Sequence, residues 1–271
     1  MPFTPAHVAA VLPVLGRRRP RWAVPSALVI GSMVPDVLYF VPINSHRGFS
    51  HSLTGVLTLD LVLGLLFVGL WRIVAAPVVR DLLPTTVRAR IPVPHRPTAH
   101  EWRWAGPGVV IGSLTHVIWD AFTHHDGWGV RHLPVLSDPL VGGLPALTVA
   151  QYGSGVVGVV LVLGYGLRAL AEASPDHDVS PLATPQERAS ASLVLLVVPV
   201  VCGLAFAVGA LVARVGTEML LYVAVVRGVS GLGLALTGVA VWWHVRVRPR
   251  GPWPAAPGPG VPADRAADRT R

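Results

Sequence analysis

The 271-residue chain is 52% hydrophobic and only 13% charged, with a mean hydropathy of +0.57; that is more apolar surface than one soluble core of this length can hold, and it marks a membrane protein. A net charge of +8 would point to nucleic acid in a soluble chain, but here the basic residues, all arginine, lie between apolar runs where they orient a chain in a bilayer, so no nucleic-acid partner is expected. The single cysteine, Cys202, rules out an intramolecular disulfide and a thiolate metal site.

The first stretch, Thr4–Gly16, is too short to cross a bilayer and contains His7; Thr4 followed by Pro5 suits the N-cap and first position of a short helix packed on the bundle. A spanning helix takes about 20 apolar residues. In chain order the windows that qualify are Trp22–Val41, Leu53–Trp71, Ala105–Phe122, Tyr152–Leu170, Leu193–Val212 and Met219–Trp243. The first and third are interrupted by polar residues: Pro25, Pro35 and Asp36 in one, His116 and Asp120 in the other. The predicted fold is all-α: a polytopic membrane helical bundle of about six spanning helices plus the short N-terminal helix. Residues 1–250 form the membrane-embedded domain, and 251–271, rich in Pro, Gly, Ala and Arg, a disordered tail.

Arginine placement sets the expected orientation. Arg17 to Arg21, the loop from Arg72 to Arg103, and Arg246 to Arg250 fall on one side of a six-span chain, which the positive-inside rule makes cytoplasmic. The C-terminal tail is then cytoplasmic, and Asp36, His46, His51 and His124 lie near the opposite membrane face, where lipid head groups gather.

Polar side chains at membrane depth are costly and tend to be functional. His116, Asp120 and His124 recur every four residues, so they share one helix face, each about a turn from the next. A single histidine in an apolar helix is ordinarily a hydrogen-bonded core residue, but three such groups on one face call for a common partner. His7, Asp36 after Pro35, and the loop His46-Arg-Gly-Phe-Ser-His51 complete the set; alone, Asp36 reads as a helix break or cap and the loop histidines as ordinary loop residues. Gly48 and Ser50 favour a tight turn that aims both loop imidazoles at one point. Imidazole and carboxylate without thiolate suit Zn²⁺ or a related divalent ion, one or two of them. The candidate ligands are His7, Asp36, His46, His51, His116, Asp120 and His124. Asp120 and Arg47 are the candidate catalytic residues, Arg47 as a partner for a substrate phosphate or carboxylate. His95, His100, His125, His132, His177 and His244 read as solvated or interfacial. Asp60 and Arg227, inside spans, suggest an internal ion pair or a polar pathway.

Taken in order, Met1-Pro-Phe-Thr-Pro-Ala-His7, Val34-Pro-Asp36, His46-Arg-Gly-Phe-Ser-His51-Ser, His116-x3-Asp120 and Gln151-Tyr-Gly-Ser-Gly155 resemble a bacterial family of uncharacterised multi-pass membrane proteins. That family is itself similar to inner-membrane proteins named as membrane-bound metal-dependent hydrolases. More distantly, the order of histidines and aspartates is similar to that of zinc-dependent bacterial phospholipase C. The resemblance implies residence in the bacterial cytoplasmic (inner) membrane and metal ligation by His7, Asp36, His46 or His51, His116, Asp120 and His124. The chain departs from the phospholipase in lacking a late His-x3-Glu pair and the processed N-terminal amine.

The function expected is metal-dependent hydrolysis of a phosphoester or lipid-type ester at the non-cytoplasmic face, with membrane lipids as partners. Two other classes remain open on sequence: a transporter using the same residues as a proton relay or cation site, and a non-catalytic protein stapled by a structural metal.

Overall fold

The computed structural model describes residues 4–16, 18–40, 47–176 and 180–251, the side chains of Arg47 and Glu218 excepted. Of the described residues 78% are helical, and the only sheet among them is a small ribbon pairing Pro139–Val141 with Leu144–Pro145. The ribbon turns through Gly142 and Gly143, both at positive φ, the backbone shape a two-residue hairpin requires.

Among the described residues, four helices are long and apolar enough to cross a membrane: Leu53–Leu82, Ala146–Glu172, Pro185–Val212 and Met219–Arg250. The first exceeds the expected window because two π-helical stretches, Val56–Asp60 and Leu70–Ala75, continue the helix without breaking it. The other two expected windows do not add to this count. Within Trp22–Val41 the chain forms an α-helix, Pro25–Gly31, then a 3-10 helix, Val34–Phe40, since Pro35 has no N–H with which to continue an α-helical ladder. Ala99–Thr123 is a 25-residue helix, but Glu101, Arg103, His116 and Asp120 dilute its apolar surface. The N-terminal segment Thr4–Val14 is helical as expected, in 3-10 form.

The chain divides into two compact units. One comprises residues 1–68 and 101–167. Its core packs Val8, Val11 and Leu15 against Ala23 and Leu28, and Val24 and Ala27 against Val68, Ala105 and Val109. The other comprises 69–100 and 168–271, where Val78, Leu82, Ala183, Ala191, Val239 and Trp243 form the core. In that unit Thr184 and Glu187 make a reciprocal capping box that starts Pro185–Val212. The guanidinium of Arg227 lies 5.3 Å from the centroid of the Phe206 ring. His7, Asp36, His51, His116, Asp120 and His124 all belong to the first unit.

Candidate metal centre

The site begins with a close helix crossing. Ala99–Thr123 carries Gly108 and Gly112 one turn apart, and Pro25–Gly31 ends on Gly31. A Cβ on Gly112 would strike the Leu28 carbonyl and come within 2.6 Å of the Ser32 nitrogen, and one on Gly31 would lie 2.8 Å from the Val109 Cα. With only hydrogens between them the two backbones pack directly, as small residues permit in membrane helices. The Ser113 hydroxyl donates across the crossing to the Gly31 carbonyl at 3.1 Å.

One turn beyond Gly112, His116 meets the point where the first helix breaks. A 3-10 bond to the Ser32 carbonyl would come from residue 35, which is proline, and the Asp36 N–H is spent on the Met33 carbonyl at 3.2 Å. The Ser32 carbonyl instead accepts from His116 Nδ1 at 2.8 Å. That bond makes Nδ1 the donor and turns Nε2 toward the pocket, the orientation a metal-ligating histidine uses.

Asp36 has two unlike oxygens. Oδ2 accepts a 2.7 Å hydrogen bond from the Thr4 hydroxyl, so Thr4 serves the carboxylate; its expected role as a helix cap is not the one its hydroxyl plays. Oδ1 is buried with no hydrogen-bond partner.

His51 arrives from the turn before Leu53–Leu82. The single helical turn Arg47–Ser50 is locked to it by Ser52, whose hydroxyl accepts from the Gly55 N–H at 3.0 Å and donates to the Phe49 carbonyl at 2.7 Å. Ser50 Oγ lies 3.1 Å from His51 Nδ1, which turns Nε2 toward the carboxylates.

Asp36, His51, His116 and Asp120 then offer one ligand atom each, all within 4.8 Å of one another. His51 Nε2 lies 3.5 Å from Asp36 Oδ1 and 3.2 Å from Asp120 Oδ2; His116 Nε2 lies 3.5 Å from each of the same two oxygens. A tetrahedral ion with bonds of about 2.0–2.2 Å separates its ligand atoms by about 3.3–3.6 Å. Three of the six edges fall in the range of a zinc-sized tetrahedron, and a fourth, at 3.2 Å, lies just under it. His51 Nε2 and His116 Nε2 are, like Asp36 Oδ1, buried without a hydrogen-bond partner; such groups are expensive inside a protein unless a shared cation satisfies them. The group could hold a metal ion.

The other expected ligands lie around this core. His7 stacks on His116 with ring centroids 3.8 Å apart, and its Nε2 is 3.5 Å from Asp120 Oδ1. Burial above all, then the neighbouring His116, pulls the His7 imidazole down to about 4, so it is neutral near pH 7. His124 Nδ1 is 3.3 Å from Asp120 Oδ1, while the Gln151 amide donates to its Nε2 at 2.8 Å. His124 thus turns an N–H toward Asp120 and orients the carboxylate from behind. For His51, burial pushes the imidazole down, but the Asp120 and Asp36 carboxylates outweigh it and hold it above its ordinary value. His46 lies outside the described residues, as does the Arg47 side chain. Thr4, Ser32 and Gln151 have supporting roles that no spacing rule singled out; the Gly108-x3-Gly112 pair, a small-residue spacing that marks the crossing, could have pointed to Ser32, and no comparable signal marks the other two.

No curated protein and no solved structure matches the chain. A family described as a domain of unknown function, DUF4184, matches residues 1–241. The match runs through every residue of the cluster, and the chain belongs to that family.

Proposed function

We propose that the chain is a membrane-bound, metal-dependent hydrolase acting on a phosphoester or lipid-type ester at the non-cytoplasmic face. The observation that carries the reading is the convergence of Asp36, His51, His116 and Asp120, one ligand atom from each within 4.8 Å of the others, with Asp36 Oδ1, His51 Nε2 and His116 Nε2 buried and without a hydrogen-bond partner. The two carboxylates balance the charge of a divalent ion, and the two imidazoles complete a thiolate-free set of the kind Zn²⁺ accepts. Bound there, the ion supplies Lewis acidity, polarising an ester oxygen and making water nucleophilic near neutral pH. His116, held by Ser32, and Asp36, held by Thr4, keep their ligand atoms in place; His124 and His7 orient Asp120. Arg47, four residues before His51 in the sequence, is the residue we assign to an anionic group of the substrate. The arginine distribution supports the outward placement of the site, a cytoplasmic tail and the inner membrane as its location; with Pro25–Phe40 and Ala99–Thr123 counted as membrane-embedded, the bundle has about six crossings.

Metal analysis of detergent-purified protein, with hydrolysis assays on phosphodiester and phospholipid substrates, tests the reading. At least one divalent ion per chain, lost in His116→Ala together with zinc-dependent hydrolysis, is the expected result. Less than one ion, or a full ion with no turnover of any ester, overturns it. One observation favours a second reading, cation transport: Asp60, a carboxyl buried within a spanning helix. Zinc flux into proteoliposomes without hydrolysis would support that reading in its place.

A further inference from the structure

Asp60 is a buried carboxyl that the site leaves unused. It lies inside the spanning helix Leu53–Leu82, is 0% exposed, and neither of its oxygens has a hydrogen-bond partner among the described residues. An ionised carboxylate with no donor and no cation beside it is not sustained in such surroundings; the neutral acid is. Asp60 also closes the π-helical stretch Val56–Asp60, a local widening of the helix that is frequent at functional sites. The stretch Val56–Asp60 packs against Val34–Phe40 and against the turn Arg47–Ser50, which brings Asp60 within electrostatic reach of groups from three elements: His51 from the turn before its own helix, His116 from Ala99–Thr123, and Asp36 from Val34–Phe40. All three belong to the proposed ligand set, yet none forms a hydrogen bond with Asp60.

We propose that Asp60 is a buried proton-binding site coupled by charge to the metal centre: it holds a proton while the pocket is free of cation and releases it when a divalent ion enters. The inference rests on the metal reading above. The carboxyl O–H bond breaks, the electron pair stays on Asp60, and the proton passes to water. The added positive charge sits among the residues that already act on Asp60 and favours its carboxylate. Loading is then an exchange of cation for protons in which Asp60 supplies one.

The test is zinc titration calorimetry of the full chain in detergent, in two buffers of different ionisation enthalpy, which counts protons released per ion bound. Asp60→Asn keeps the shape of the neutral acid, and we expect it to bind zinc with unchanged stoichiometry and release about one proton fewer than the parent chain. Equal proton counts overturn the proposal while leaving the metal centre standing; no zinc binding by the parent chain overturns both. Difference infrared spectroscopy of the unsubstituted chain gives a measurement independent of the variant's folding. Zinc should remove a protonated-carboxyl band, and a spectrum without that loss also overturns the proposal.

Discussion

Two buried aspartates, one in each unit, show how the same side chain is used in opposite ways. Asp81, 7% exposed, accepts from the backbone N–H groups of Leu182 and Ala183 at 2.7 and 3.0 Å and from the Trp243 indole at 2.7 Å. Both its oxygens are spent, and it ties a helix end, a loop and an aromatic ring together. Asp36, fully buried, spends one oxygen on Thr4 and leaves the other facing two imidazoles and a second carboxylate. A carboxylate whose acceptors are filled by fixed donors stabilises the fold. One oriented by a single donor, with its remaining oxygen turned to a pocket of like acceptors, is prepared for a cation.

The contrast is broken most severely by removing a ligand. His116→Ala should reduce metal affinity by more than about 100-fold, beyond the 10–100-fold typical of residues that only orient ligands; equilibrium zinc competition with a chromophoric chelator would measure it. Acidity comes next. The His51 imidazole is held above its ordinary value, so part of it is protonated near neutral pH, and an incoming cation must displace that proton. Affinity is therefore greatest above that raised value and should fall by about tenfold per pH unit for each proton displaced as pH drops through it. A pH-independent affinity between pH 8 and about 6 would show that His51 is not a ligand.

Smaller effects sharpen the same comparison. Thr4→Val removes the donor that orients Asp36, and metal affinity should fall by about tenfold, with Thr4→Ser restoring it. Asp81→Asn should leave metal content and affinity unchanged while lowering stability by about 2–3 kcal/mol, because an amide cannot accept at all the positions the carboxylate does. Thermal unfolding alongside metal analysis reads both. Loss of metal from this variant would mean that Asp81 is more than an anchor for its own unit.

The helical, membrane character of the chain was legible from composition and apolar run length, because lipid imposes those constraints on every residue of a span. The cluster that could hold a metal ion was legible too, for a related reason: Asp36, His51, His116 and Asp120 are conspicuous against an apolar background. His124 was placed on the ligand face by its spacing, yet it follows the last residue of its helix and meets Gln151, a contact across 27 positions that periodicity does not register. The count of about six spans is not confirmed: the chain in Trp22–Val41 breaks at Ser32–Met33 for want of a single N–H, and the helix that contains Ala105–Phe122 is long enough but diluted by polar residues. Thr4 looked like a cap because local sequence says nothing of a partner 32 residues away.

Pro35 is present in the pocket through an atom it does not have. Because it brings no amide hydrogen, the carbonyl three residues earlier is left over for His116. Pro35→Ala returns that hydrogen to the backbone, frees the imidazole to rotate, and should weaken zinc binding without touching one ligand. For an engineer wishing to silence the centre while keeping all its coordinating groups, the most economical handle is a ring in the main chain.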